Sequence, residues 1–144
     1  MTVIAWDGKT LAADKQATYH GVKYTTNKLH RLKNGSIAAG SGSSVQIATM
    51  INWLDSGADP KEFPKSQEAI ENTAGILVIT KDKRIMKYES TPYPLEYLDE
   101  RVADGSGHEF ALCAMYLGKT AKEAVEVACV FDTDCGMGVD TIEL

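Results

Sequence analysis

The chain has 144 residues, 44% of them hydrophobic and 24% charged, and carries a net charge of -5. That length and balance describe one folded domain spanning 1–144, with enough apolar residues for a core, and exclude a disordered chain. The acidic balance, without any block of Lys and Arg, argues against nucleic acid as a partner.

The first residues, Met1-Thr2-Val3-Ile4-Ala5, run straight into Trp6-Asp7-Gly8-Lys9, so no signal peptide is read, and no window approaches a membrane span. Cys113, Cys129 and Cys135 are odd in number and lack paired metal spacing, which points to reduced thiols in a cytoplasm.

Val3 to Trp6 and Thr10 to Ala17 are short apolar or alternating runs around Asp7-Gly8-Lys9, and Asp-Gly is a strong hairpin signal. Two antiparallel strands are expected. Val22 to Tyr24 comes next, then Lys28 to Leu32, a turn at Asn34-Gly35, and Ser36 to Ala39. Gly40-Ser41-Gly42-Ser43-Ser44 changes the period: Ile47, Met50, Ile51 and Leu54 recur at helical spacing until Gly57. The polar stretch from Asp59 to Thr73, with Pro60 and Pro64, reads as a loop holding one short helical turn. Gly75 to Thr80 and Arg84 to Tyr88 form another hairpin, and Pro92 and Pro94 interrupt the chain after it. Arg101 to Asp104 is a short strand ending in Gly105-Ser106-Gly107, and Phe110 to Leu117 a helix stopped by Gly118. Thr120 with Glu123 matches a capping box, and Ala124, Val127, Ala128 and Phe131 stripe the next helix. Met137 to Leu144 is a last strand. The order is that of an α+β chain, with antiparallel sheets and helices segregated onto their faces.

Chemistry is first suggested by Thr2. A small residue after Met1 makes that Met readily trimmed, and a freed Thr2 would carry both a hydroxyl nucleophile and an amine able to serve as its base. Asp14 lies in a strand of small apolar residues, where a buried carboxylate needs a partner that Lys28 could supply; two surface charges are the equal alternative. The loop from Gly40 to Ser44 opens a helix, so its backbone N–H groups suit an oxyanion, although many such loops are glycine-rich for steric reasons only. It has neither the Gly-Lys-Ser/Thr ending of a P-loop nor Rossmann glycine spacing, and no cofactor motif is found. Ser106 lies between glycines, but its surroundings are not a nucleophile elbow, and a plain turn is the simpler reading. His20, His30 and His108 are scattered and assemble no metal site. Cys113 and Cys129 read as buried small hydrophobes, while Cys135 sits in a loop beside Asp132 and Asp134, carboxylates that would raise its pKa.

Seven stretches, taken in order, resemble the proteasome β-type family of N-terminal-nucleophile (Ntn) hydrolases, nearest to the HslV-type peptidases. They are Thr2-Val3-Ile4-Ala5, the run from Leu11 to Ala17, Asn27 to Leu32, Ile37 to Gly42, Gly105-Ser106-Gly107, Leu117 to Ala124, and Gly138 to Leu144. The resemblance implies a four-layer αββα sandwich, in which two antiparallel sheets are flanked by helices. It implies a threonine-type peptidase with Thr2 as nucleophile, Asp14 as the carboxylate on the second strand, and Lys28 as the lysine beside the threonine. It further implies Gly42 as the oxyanion donor, Ser106 as the serine near the threonine amine, and Asp132 as the supporting aspartate. A homo-oligomer acting on peptide or unfolded protein is implied by the same resemblance, with an ATP-dependent unfoldase as a candidate partner. A non-catalytic scaffold of the same fold and a small-molecule amidase of the superfamily are the alternatives. The chain departs from the pattern in being shorter between the first helix and the later pair, and in carrying Cys135 where related subunits have serine.

Overall fold

The computed structural model describes residues 1–65 and 74–144. Their contacts divide into two compact units, one formed by Met1–Leu29 with Asp99–Leu144 and the other by His30–Leu98.

In the first unit, β1 (Ile4–Trp6), β2 (Thr10–Asp14), β10 (Val102–Asp104) and β11 (Val139–Glu143) form an antiparallel sheet in the order β10-β1-β2-β11. The Asp7-Gly8-Lys9 turn joins β1 to β2, as the sequence implies. Gly8 takes a φ of +97°, and the Asp7 carboxylate accepts from the N–H groups of Lys9 at 2.9 Å and Thr10 at 2.8 Å. The other oxygen of Asp7 accepts from Ala121 N–H at 2.8 Å, which ties this turn to the start of a helix. Burial by itself would raise the Asp7 pKa; the donated hydrogen bonds, Ala121 first, outweigh it and hold the carboxyl below its ordinary value.

Two helices, α2 (His108–Tyr116) and α3 (Ala121–Phe131), pack against one face of this sheet through small side chains. Val3, Ala5 and Ala12 from the strands meet Ala111, Ala114, Ala124, Val125 and Ala128 from the helices. Such a run of alanines lets helix and sheet backbones approach closely. The capping box forms: Thr120 accepts from Glu123 N–H at 3.2 Å, and Glu123 accepts from Thr120 N–H at 3.1 Å.

The single strand expected from Thr10 to Ala17 is broken at Lys15. β2 ends at Asp14, and β3 (Gln16–Tyr19) starts a separate hairpin with β4 (Val22–Thr25). The cause is a change of partner. Lys15 donates its N–H to Gly136 O at 3.0 Å and accepts from Thr26 N–H at 2.7 Å, so the ladder passes to different neighbours on either side of it.

In the second unit, β6 (Ile37–Ser41), β7 (Gly75–Ile79), β8 (Ile85–Tyr88) and β9 (Leu95–Tyr97) are antiparallel neighbours, and β5 (Leu29–Arg31), at the boundary of the units, borders β6. Asn34-Gly35 makes the expected turn, with Gly35 at φ +88° and Leu32 N–H bonded to Ser36 O at 2.8 Å. β9 was not anticipated, because three residues after Pro92 and Pro94 carry no strand signal; pairing of Leu95 with Lys87 and of Tyr97 with Ile85 creates it. Helix α1 (Ser44–Asp55) covers one face of the sheet, with Met50, Trp53 and Leu54 against Ala38, Ile76 and Val78. The short helical turn falls at Pro60–Glu62. The remainder of the expected loop, residues 66–73, lies outside the described residues.

Among the described residues no helix is long and apolar enough to cross a membrane.

Candidate active site

Thr2, Asp14 and Lys28 come together in the first unit. Val3 and the end of β2 are joined twice: Asp14 N–H bonds to Val3 O at 3.2 Å, and Val3 N–H returns a bond to Asp14 Oδ1 at 3.1 Å. This reciprocal pair fixes Thr2 beside the end of β2. Asn27 accepts from Leu29 N–H at 3.0 Å, a side-chain turn that sets Lys28 just ahead of β5.

The Lys28 ammonium is the hub. It donates to Asp14 Oδ1 at 2.7 Å, to Thr2 Oγ1 at 3.1 Å and to Met1 O at 3.1 Å. Asp14 is fully buried and the Lys28 side chain only 9% exposed. The surface-charge alternative for this pair is therefore excluded. Asp14 Oδ2 accepts from Gly136 N–H at 3.1 Å and from Gln16 N–H at 3.4 Å, so both carboxylate oxygens are satisfied. A buried ion pair of this kind is tolerable because hydrogen bonds complete its shell.

Ser106 lies on the other side of Thr2. Its Oγ accepts from Thr2 N–H at 3.4 Å and lies 3.3 Å from Thr2 O, to which it can donate. Thr2 O also accepts from Gly107 N–H at 3.2 Å. The turn that presents Ser106 needs glycine at Gly105 for two reasons. Its φ is +88°, and a Cβ there would run into the Thr2 carbonyl oxygen. Gly105 thus belongs to the geometry around Thr2, whereas the sequence marked it only as part of the Gly105-Ser106-Gly107 stretch.

Asp132 joins through Cys135. The Cys135 thiol donates to Asp132 Oδ2 at 3.3 Å and lies 3.8 Å from Ser106 Oγ. Asp132 Oδ1 accepts from Asp134 N–H at 2.9 Å, the largest of the influences that hold its carboxyl below the ordinary value. Burial, assisted by the Asp14 and Asp132 carboxylates, pushes the Cys135 thiol up to about 12, against the opposing Ser106 hydrogen bond. Cys135 is thus a neutral hydrogen-bonding group and no thiolate nucleophile. The two cysteines read as buried hydrophobes differ from that expectation: Cys113 is exposed and Cys129 only partly covered, because the buried stripe of each helix is made by its alanines.

Gly42 is carried by the second unit. It comes directly after the last residue of β6 with φ +106° and precedes Ser43, whose side chain caps α1 by accepting from Gln46 N–H at 3.4 Å. The five remaining predicted residues, Thr2, Asp14, Lys28, Ser106 and Asp132, form one connected hydrogen-bonded group once Cys135 is included.

No protein-family model matches the sequence, and no curated protein matches it significantly. Solved structures do match. BPH from Thiobacillus denitrificans, solved in complex with epoxomicin, is 19% identical at a TM-score of 0.74, over 100% of this chain and 98% of that one. A second structure of BPH gives 19% and 0.73, over 100% and 97%. Eukaryotic HslV from Trypanosoma brucei is 20% identical with a TM-score of 0.71, over 98% of this chain and 97% of that one. The chain therefore has the α+β fold of the HslV-type proteins, in agreement with the resemblance carried by its sequence.

Proposed function

We propose that this chain, built on the HslV-type fold, is a proteasome-like threonine peptidase of the Ntn class, active once the bond preceding Thr2 is cut. The observation that carries the reading is the Lys28 ammonium, 2.7 Å from a fully buried Asp14 and 3.1 Å from Thr2 Oγ1. A fixed positive charge beside the hydroxyl favours the developing alkoxide, and beside a freed α-amine it favours the neutral, proton-accepting form.

In the proposed reaction the Thr2 amine takes the proton from Oγ1 as Oγ1 bonds to the carbonyl carbon of the scissile amide. The family resemblance gives the task of holding the resulting oxyanion to Gly42 N–H. Collapse breaks the carbon–nitrogen bond, the amine returns its proton to the leaving nitrogen, and an ester on Thr2 remains. Water, deprotonated by the same amine, then attacks the ester and restores Thr2. Ser106 orients the amine, and Asp132, through Cys135, holds Ser106. No metal or cofactor enters any of these steps.

The single-domain organisation, the four-layer stacking, a homo-oligomeric assembly, peptide or unfolded-protein substrates, an ATP-dependent unfoldase as partner and a cytoplasmic location are parts of the same proposal, and rest on the family resemblance. The test compares the chain bearing a free Thr2 amine, verified by intact mass, with Thr2→Ala on a panel of fluorogenic peptides. Turnover confined to the Thr2 form is expected. Equal activity in both forms, or retention of Met1 on all the protein from its natural host, would overturn the peptidase reading and favour a scaffold.

A further inference from the structure

Lys87 stands apart from the groups assigned so far. It lies on β8, in the antiparallel sheet of the second unit, and is only 8% exposed. Its backbone pairs with Leu77 on β7, but its side chain runs along the sheet face toward the beginning of β7. There Gly75 leaves room for it: a Cβ on Gly75 would sit 2.7 Å from Lys87 Nζ and 2.9 Å from its Cε. No positive φ calls for glycine at this position; a Cβ there would displace the flexible end of the lysine. The same point lies 3.7 Å from Ser41 Oγ, and Ser41 is the register partner of Gly75 at the end of β6. The buried ammonium and the Ser41 hydroxyl thus flank the same slot, and Ser41 is the residue immediately before Gly42. Burial lowers the pKa of Lys87 from its ordinary value, with Glu89 opposing.

We propose that Lys87 is a positioning residue for the Ser41–Gly42 turn, its ammonium held in the slot that Gly75 leaves open, and that it strengthens the oxyanion donor the peptidase reaction requires. This inference rests on the peptidase reading and extends it to a strand that carries none of the groups assigned above. A fixed charge next to a backbone donor, in a site poor in water, stabilises negative charge that develops on that donor's acceptor and needs no reorganisation at the moment of reaction. The charge belongs to the turn and not to the substrate. Its removal therefore lowers the rate of the chemical step and leaves substrate binding unchanged.

The test uses the chain with a free Thr2 amine and measures kcat and KM for the wild type, Lys87→Met, Gly75→Ala and the double variant, with thermal melting of each. Lys87→Met keeps the length of the stem and removes the charge; Gly75→Ala keeps the charge and fills the slot. Each single change is expected to lower kcat about tenfold with KM unchanged, less than loss of a direct oxyanion donor would. The double variant is expected to be no worse than Lys87→Met, because both changes remove the same interaction. Wild-type kcat in Lys87→Met, additive losses in the double variant, or a loss confined to KM would overturn the proposal. Should Lys87→Met fail to fold, wild-type kcat in Gly75→Ala overturns it just as well. A wild type that cleaves no peptide, or cleaves as Thr2→Ala does, removes the peptidase reading and this inference together, whereas Thr2-dependent cleavage insensitive to both changes removes this inference alone.

Discussion

Replacing Lys28 by alanine tests the centre of the site in two independent ways. The substitution leaves Asp14 fully buried and strips one oxygen of its 2.7 Å ammonium partner. Breaking a buried ion pair by removing one member commonly costs about 3–5 kcal/mol. Here the low end applies, since Asp14 keeps the N–H groups of Val3, Gln16 and Gly136 as donors. A loss of about 3 kcal/mol corresponds to a fall in Tm of roughly 6–12 °C for a domain of this size. Calorimetry on Lys28→Ala checks this without reference to any activity. Turnover of a fluorogenic peptide, measured well below the lowered Tm, is expected to drop by at least about 100-fold, the scale on which a preorganised charged donor acts. Lys28→Met, which keeps most of the stem volume, should lose turnover to the same degree and so separates charge from packing. A Tm shift below about 1 °C would refute the buried ion pair, and turnover near the wild-type level in both variants would refute the role of the ammonium.

Gly105→Ala combines a left-handed backbone, worth about 1–2 kcal/mol against a residue with a Cβ, with a collision at the Thr2 carbonyl. We expect a loss of more than about 2 kcal/mol in chemical denaturation, together with loss of turnover as Thr2 shifts; wild-type stability would show that the turn yields freely. Native-state alkylation with iodoacetamide at pH 8, followed by peptide mass mapping, should label the exposed Cys113 and spare Cys129 and Cys135, whose thiols burial pushes up to about 11 and about 12. Equal labelling of all three would contradict those environments. The folded pKa of Asp7 is depressed, so its contribution to stability is present above the unfolded value and is lost as pH falls through the folded one. Asp7→Asn should therefore narrow the stability gap to wild type as the pH drops below about 4, the ordinary carboxylate range, and a gap independent of pH would refute the assignment.

Local signals in the chain were sufficient for most elements. Asp-Gly and Asn-Gly turns, the helical period from Ile47 to Leu54, and Thr120 with Glu123 each act over a few residues, and each forms where its pattern predicts. β9 and the break at Lys15 were hidden because both depend on distant partners: Lys87 and Ile85 in one case, Gly136 and Thr26 in the other. The cysteines show the same limit. Apolar surroundings in sequence suggested burial for Cys113, but which face of α2 is covered was decided by the alanines packed against β1 and β2.

For the site, residue types and their order were enough to suggest Thr2 and an Asp14–Lys28 pair, while the roles of Ser106 and Asp132 came from the resemblance alone. Whether Asp14 and Lys28 were a buried pair or two surface charges was open in the sequence, because burial is a property of what covers a residue and not of the residue. The tertiary structure decided it by enclosing Asp14 completely and setting the ammonium between it and the Thr2 hydroxyl. It also gave Gly75 and Gly105 their meaning: a Cβ at Gly105 would meet the Thr2 carbonyl, and one at Gly75 would displace a lysine head. Turn and helix propensities are local and can be read along the chain; close approach and desolvation arise only when distant segments meet.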